Sequence, residues 1–420
     1  MEHLLLLVHR IPFPPNKGDK IRSYHLLRHL AKRYCVHLGT FVDDPDDWRY
    51  VDEVKRFCNE TYFGKLHPFV ARVRSISALA AQRPMSLDYY DDPGMHAWVR
   101  NLLQRQPIHR VVVFSSAMAQ YAEGIEGAQR IIDFVDVDSD KWTQYARGKR
   151  WPFSWLYRRE GRELLRYERR TARTFDASLF VSPAEAELFR QRAPECNDRI
   201  GYYSNGVDTE YFSPERAYDN PYSTDELPIV FTGAMDYWPN VDAVQWFAEK
   251  VLPAVRERYP SANFYIVGSR PTENVTALAR RPGVSVTGTV PDIRPYLAHA
   301  CASVAPLRIA RGIQNKVLEA MAMAMPVIVS APALEGIDAR PGCEVLLAES
   351  DRQFIEALCA LLCAHRPEIG CAARRKVVEH YGWSRNLARI DELLNVKRVR
   401  HPGRWQEKES PLRQDIGERV

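Results

Sequence analysis

Arg308, Arg311 and Lys316 fall on one short stretch, Pro306-Leu-Arg-Ile-Ala-Arg-Gly-Ile-Gln-Asn-Lys-Val-Leu-Glu-Ala-Met-Ala322. The apolar run before it reads as a strand ending near Pro306, Gly312 marks a loop, and an apolar periodicity beginning near Asn315 reads as a helix. Free backbone N–H groups and the dipole at a helix start attract an anion. Three cations around that point suit the charge of a diphosphate. Glu319 lies one turn into the helix, where a carboxylate can accept hydrogen bonds from ribose hydroxyls. The same residues also fit an ordinary helix start dressed with surface arginines.

A second cluster is acidic. Asp136-Val-Asp138 follows an apolar run and sits between Asp133 and Asp140. It has the form of a metal-binding DxD, and equally of two carboxylates at a strand end that hold no ion. Other chemistries lack their residues. The chain carries no G-x-G-x-x-G after its first strand, no GxxxxGK[ST], no HExxH and no GxSxG, which removes the main support for dehydrogenase, P-loop, zincin and α/β-hydrolase readings. Its 8 cysteines form no CxxC pair. Cys359 and Cys363 share a helix face, but two ligands do not make a zinc site. Free, buried thiols are expected, as in a reducing compartment.

These residues need strands and helices to position them. Strands are expected at Leu4–Val8, Val36–Phe41, Arg110–Phe114, Arg130–Phe134 and Ala177–Val181, then at Ile229–Gly233, Asn263–Val267, Val284–Thr287, Ala302–Ala305 and Pro326–Val329. Helices are expected at Asp19–Lys32, Val241–Arg258, Asp292–His299, Asn315–Met323 and Asp351–Cys363. Apolar strands without polar alternation, separated by helices, indicate parallel sheets covered on both faces. Two such halves read as two Rossmann-like domains facing each other. With 420 residues, 45% hydrophobic and 26% charged, the chain has the composition of a folded protein of more than one domain. No segment offers the roughly 20 apolar residues of a membrane span. The N-terminal leucines stop at His9 and Arg10, too soon for a signal peptide. The expected location is cytoplasmic.

The division expected is 1–205 for the first domain and 206–227 for a hinge marked by Asn205-Gly206, Pro214 and Pro221. The second domain covers 228–382, a closing helix 383–400, and a charged flexible tail 401–420.

Read as a whole, the chain resembles the retaining glycosyltransferases of family 4, which have the GT-B fold: two Rossmann-like parallel-sheet domains across a cleft. The stretch ending Leu318-Glu-Ala-Met-Ala is similar to their donor motif, with Glu319 matching its second acid. Pro12-Phe-Pro-Pro-Asn-Lys-Gly-Asp-Lys-Ile-Arg22 resembles the N-terminal glycine loop. Tyr167-Glu-Arg169, Phe175-Asp176 and Val181-Ser-Pro-Ala-Glu185 resemble the end of the first domain. Ser204-Asn-Gly-Val-Asp-Thr-Glu-Tyr-Phe-Ser-Pro214 resembles the hinge, and Phe231-Thr-Gly-Ala-Met-Asp-Tyr-Trp-Pro-Asn240 the opening of the second domain. Through HRIPFPPNKGDKIRSYHLLRHLA, FVDVDSDKW and GIQNKVLEAMAM it looks most like the sugar transferases of bacterial PEP-CTERM/exosortase exopolysaccharide loci. Two positions depart from the pattern: Arg311 stands where many members have the first acid, and Ala234 where an arginine often follows Gly233.

The resemblance implies transfer of a sugar from a nucleotide-sugar, with retention and without a metal or other cofactor, to a glycan or polyprenyl-linked acceptor. It places Arg308, Lys316 and Glu319 in catalysis. Donor contacts would come from Gly18, Gly233, Arg311, Gly312, Ile313, Gln314 and Asn315, and acceptor-side contacts from Asp19, Lys20, Asp136 and Asp138. The closing helix would cross back to the first domain. Rival readings are a sugar-nucleotide 2-epimerase and a non-catalytic GT-B-like partner in an assembly complex. Segment 141–175 adds a further expectation. Its eleven Lys/Arg against three Glu, mixed with Trp142, Tyr145, Trp151, Phe153, Trp155 and Tyr157, have the composition of a surface that docks on anionic lipid. That would hold the protein peripherally on the inner face of the plasma membrane. No nucleic-acid-binding module accompanies the basic charge, so nucleic acid is not expected as a partner.

Overall fold

The structure is a computed structural model and describes residues 1–67, 75, 83–310, 312–364 and 366–395. Two all-parallel sheets organise it. The first contains β1 (Glu2–Val8), β2 (Tyr34–Val42), β3 (Glu60–Lys65), β4 (Ile108–Phe114), β5 (Gln129–Val135), β6 (Ala177–Phe180) and β7 (Ile200–Tyr202), in the order β3-β2-β1-β4-β5-β6-β7. The second contains β8 (Leu227–Thr232), β9 (Ala262–Val267), β10 (Val284–Gly288), β11 (Ala302–Ala305), β12 (Val327–Val329) and β13 (Leu346–Leu347), in the order β10-β9-β8-β11-β12-β13.

Central strands are apolar because helices cover both sheet faces. Leu4 through Val8 of β1 and Ile229 through Phe231 of β8 are fully buried. Three strands fall outside the sequence expectation, and all are marginal. β3 and β7 are the two edges of the first sheet, β3 half-exposed and β7 only three residues long, while β13 has only two residues. A helix at Pro367–His380 was also not expected. The helix expected over Val241–Arg258 is interrupted. It runs Trp238–Trp246, widens into a π turn at Phe247–Val251 and resumes at Leu252–Arg258. Pro253 explains the break, because it has no N–H to continue the ladder and its ring crowds the preceding turn.

All eight cysteines are free, as expected, but the expectation that they are buried fails. Only Cys196 and Cys359 are buried, whereas Cys343, Cys363 and Cys371 are exposed. Arg311, one of the expected donor contacts, lies outside the described residues, as does the expected tail 401–420.

A buried polar knot fixes the first domain to the crossover. Arg22, on the helix Gly18–Ala31, is 0% exposed. Its guanidinium bonds Asp133 of β5 (2.8 Å), the Tyr203 carbonyl (3.0 Å) and Asn205 Oδ1 (2.9 Å). Partners far apart along the chain are thereby tied to one cation. Nearby the chain crosses a second time. The helix Trp383–Asn395 packs Trp383, Leu387, Ile390 and Leu394 into the core beside Leu4 and Leu26 of the first domain. Gly206 is where the two crossings touch: a Cβ there would lie 2.7 Å from the Tyr381 carbonyl oxygen, so only glycine fits.

Candidate functional site

The second domain builds its site at the C-terminal ends of β8, β9 and β11, where the strand order reverses between β8 and β11. Parallel α/β sheets bind ligands at such points. Gly233 follows β8 with φ 152° and Gly268 follows β9 with φ 158°. They lie back to back: a Cβ on Gly268 would fall 1.7 Å from the Gly233 carbonyl oxygen. Backbone therefore lines this crevice, with no side chain at either position.

Lys316 enters it from the helix Asn315–Ala322. Its Nζ donates to Asn240 Oδ1 at 2.5 Å and lies 4.2 Å from the centre of the Phe231 ring. The same ammonium is 3.1 Å from where a Gly233 Cβ would be. Asn240 is held in turn by its amide donating to the Ala234 carbonyl at 2.8 Å. Lys316 thus brings a cation beside Gly233 from the facing helix. Burial lowers the Lys316 pKa to about 7, against the opposing pull of Glu319. Burial likewise raises Glu319 to about 7, with Lys316 opposing.

The remaining expected donor-side residues divide. Gly312 adopts φ 68° and its carbonyl accepts from Gln314 Nε2 at 3.1 Å. Ile313 is buried. Asn315 keeps a buried Oδ1 without a hydrogen-bond partner among the described residues. Arg308 does not join them. It forms a two-pronged ion pair with Asp242 and lines a separate cavity of about 540 Å³ with Trp246, Lys250 and Phe354. Nothing in its sequence neighbourhood signalled that partner.

In the first domain the strand order reverses between β1 and β4. Asp19 Oδ2 takes Arg10 Nη1 at 2.7 Å and lies 3.4 Å from His9 Nε2. Burial acts to raise the Asp19 pKa, but His9 and Arg10 outweigh it and hold the carboxyl well below its usual range. Arg10 Nε also contacts Asp43 at 2.8 Å. Lys20 does not pair with this group. It is 2% exposed, with Nζ 2.5 Å from Asp47, which is a packing role rather than a free cation. Gly18 needs no special conformation, and a Cβ there would meet nothing within 4 Å.

Asp136 and Asp138 share Lys141, at 2.6 and 3.3 Å. An ammonium therefore occupies the position between the two carboxylates of the DxD. Burial raises the Asp138 pKa, Lys141 opposes it and Asp136 adds to it. Behind them Glu168, on the helix Phe153–Thr174, accepts from the hydroxyl of Ser139 at 2.5 Å. Burial raises the Glu168 pKa to about 8.

The two groups face each other. Tyr237, in the loop after β8, interacts electrostatically with Tyr145, Lys141 and Asp136 of the first domain. Gly312 approaches Val181, its Cβ position lying 3.9 Å from Cγ1. Arg270, after β9, bridges Asp236 of its own domain (3.4 Å) and Asp44 of the other (2.9 Å). His9, Asn240, Tyr237 and Arg270 are the contributors that sequence reasoning passed over. Each is defined by a partner distant along the chain, so no local spacing marks it.

Comparison with known structures bears on the whole architecture. A sucrose-phosphate synthase from Thermosynechococcus elongatus superposes with a TM-score of 0.64 at 17% identity, covering 94% of this chain and 98% of that one. WaaG, a glycosyltransferase involved in lipopolysaccharide biosynthesis, gives a TM-score of 0.64 at 17% identity over 94% and 100%. Anabaena HepE in complex with UDP-glucose gives a TM-score of 0.63 at 13% identity over 94% and 99%. No curated protein matches the sequence significantly. At these identities the likeness is one of fold, and that fold is GT-B. Within it, residues 226–364, which carry the crevice holding Lys316 and Gly233, match the family described as glycosyl transferases group 1.

Proposed function

We propose that this protein is a retaining glycosyltransferase of the family 4 type, moving a sugar from a nucleoside-diphosphate sugar to a glycan or lipid-linked acceptor in bacterial exopolysaccharide synthesis. One observation carries the reading. The Lys316 ammonium lies against Gly233 at the start of the helix Asn315–Ala322, inside the region that matches glycosyl transferases group 1. HepE, which shares the fold, has been solved with UDP and with UDP-glucose, which supports a nucleotide-sugar donor here.

The difficulty of the reaction is charge separation, since the anomeric carbon becomes cationic while the diphosphate departs. A fixed ammonium and helix-start amides aimed at the departing phosphate stabilise that charge without reorganising. Lys316 takes this role, together with the amides around Gly312 to Asn315. Glu319 accepts from the ribose hydroxyls. The acceptor hydroxyl attacks from the face the diphosphate leaves. Its proton passes to the phosphate oxygen released from carbon, so no dedicated base is required and inversion is avoided. The cation role falls to Lys316 and those backbone amides, so the mechanism calls for no metal. Acceptors enter from the first domain, past Asp19, Asp136 and Asp138.

The test is a thermal-shift survey of nucleoside diphosphates and nucleotide-sugars, followed by turnover assays on those that bind. Selective stabilisation is expected, about 2.7 kcal/mol at a hundredfold excess over Kd, with release of nucleoside diphosphate. Binding without transfer but with a changed sugar would favour the epimerase reading. No response to any nucleotide would favour the non-catalytic partner.

Membrane docking through 141–175 is part of the same proposal. Trp151 (82% exposed), Phe153 (59%) and Trp155 (53%) project to solvent, beside the exposed Arg158, Arg162 and Arg166. Arg159 belongs elsewhere, being buried and bonded to the Arg83 carbonyl. Among the described residues no helix is long and apolar enough to cross a membrane. Neutralising Arg158, Arg162 and Arg166 together is expected to release the protein from vesicles containing phosphatidylserine. Unchanged sedimentation with those vesicles would count decisively against docking.

A further inference from the structure

His9 is the first residue past β1, and Phe114 is the last residue of β4. Between these two strands the order of the first sheet reverses, which is where a ligand crevice opens in such sheets. The His9 imidazole lies at that end of the sheet, stacked on Phe114 (centroids 5.8 Å apart, planes at 2°) with Tyr90 packed edge-on (5.8 Å, 88°). Two aromatic neighbours in different directions leave the ring little freedom to rotate.

Its two nitrogens are not equivalent. Nε2 is 3.4 Å from Asp19 Oδ2, whose position Arg10 fixes at 2.7 Å. In the neutral ring a carboxylate there draws the proton to Nε2 and leaves Nδ1 as an acceptor. Nδ1 is shielded from solvent and has no hydrogen-bond partner among the described residues. Buried polar atoms are nearly always paired, so an orphan of this kind calls for an explanation. Asp138 is near enough to His9 for the two to interact electrostatically. The ring therefore interacts with carboxylates from two segments, Asp19 after the glycine loop and Asp138 after β5. The backbone is strained around the same opening. Ser115, just past β4, has φ 78°, and Val135, at the end of β5, has φ 70°, a region a β-branched residue rarely occupies. Such outliers concentrate at ligand clamps.

We propose that His9 is an acceptor-binding residue, its Nδ1 receiving a hydrogen bond from the sugar hydroxyl that takes the transferred group, with Asp19 holding the ring in the required tautomer. The proposal rests on the glycosyltransferase reading and adds to it the atom that positions the nucleophile. Proton transfer still runs to the departing phosphate, so His9 orients the hydroxyl rather than deprotonating it.

Two measurements decide it. In protein labelled with ¹⁵N-histidine, the His9 signal, assigned by its loss in His9→Gln, is expected to show Nε2–H and a bare Nδ1. Protonation on Nδ1 in the neutral ring overturns the proposal. The second uses methyl hexosides as acceptor probes, with a nucleotide-sugar that the wild type turns over. His9→Gln keeps a donor near the Nε2 position but has nothing at Nδ1, whereas His9→Asn places an amide oxygen near Nδ1. For His9→Gln, kcat/KM for the acceptor is expected to fall roughly three- to tenfold, the loss of one neutral hydrogen bond. Its KM for the donor and its affinity for nucleoside diphosphate should stay unchanged, and His9→Asn should keep most of the activity. Wild-type acceptor kinetics in His9→Gln, or equal losses in both variants accompanied by weaker nucleotide binding, would overturn it. Failure of the wild type to bind or turn over any nucleotide-sugar is seen before any variant is compared. That outcome counts against the glycosyltransferase reading, while the tautomer measurement still judges His9.

Discussion

Lys316 is half-buried between Asn240 and the Phe231 ring, and the desolvation of its ammonium there brings its pKa down from 10.5 to about 7. A lysine with a lowered pKa is neutral above that value, yet a diphosphate needs the ammonium. Nucleotide binding should therefore draw in a proton at pH 8. The affinity for nucleoside diphosphate should fall as pH rises from 7 to 9, approaching tenfold per unit, the limit for one linked proton. Glu319 acts with the same sign, because it becomes anionic as pH passes its own value of about 7. Calorimetry in two buffers of different ionisation heat measures the uptake directly. Lys316→Arg keeps its charge throughout this range, so its affinity should depend on pH only through Glu319 and the nucleotide. An equal slope in both proteins would remove Lys316 as the titrating cation. At this scale the sequence was informative where chemistry and position coincide: a loop glycine, a helix start, a lysine and a glutamate one turn later. It misplaced Arg308 and Lys20, because whether a cation faces a cleft depends on partners such as Asp242 and Asp47 that spacing does not reveal.

Among the elements, the helices Asp138–Arg147 and Phe153–Thr174 hold the loop around Asp136 and Asp138 in place. Glu168 of the second is 1% exposed and bonds Ser139 of the first through its hydroxyl and backbone N–H. Burial raises its pKa from 4.5 to about 8. The folded protein thus binds a proton that the unfolded chain has released between those values. Stability from this group is complete below pH 4.5 and declines as pH climbs toward 8, by at most about 1.4 kcal/mol for each pH unit crossed. Glu168→Gln removes the titration and keeps an acceptor for Ser139. Its melting temperature relative to wild type should rise steadily from pH 5 to pH 8. A constant difference across that range would show that Glu168 does not change charge on folding. Elements differ in how legible they were. The continuous apolar runs of β1, β4, β8 and β11 announced themselves because both sheet faces are covered. Edge strands such as β3 and β7 were missed because half-exposed strands look like loops in composition, and the π turn was missed because apolar periodicity continues through it.

Across the whole molecule, turn residues such as Asn205-Gly206 mark where a chain can change direction, but nothing local indicates how the two domains face each other. That arrangement depends on contacts such as Arg270 with Asp44, 226 residues apart. Arg270 holds an Asp on each side of the cleft, and its own backbone sits at φ 53°. Both members of the cross-cleft pair are partly exposed, at 49% and 33%. An ion pair in such a setting contributes only about 0.2–1 kcal/mol. It can bias closure but cannot enforce it. The glycine loop shares this connection, since Asp44 caps the turn Pro45–Tyr50, whose Asp47 anchors Lys20 beside Asp19. Arg270→Gln keeps the side-chain length and removes the charge. In protein carrying one fluorophore per domain, it should raise the open-to-closed ratio by up to about fivefold, the equivalent of the upper limit above. Salt supplies the control. Raising ionic strength toward 1 M shortens the screening length to about 3 Å, and should move the wild type toward the variant while leaving the variant nearly unchanged. Identical distance distributions at low salt would mean that the pair only decorates an interface set elsewhere, and would shift attention to the Gly312–Val181 contact as the point where the domains meet.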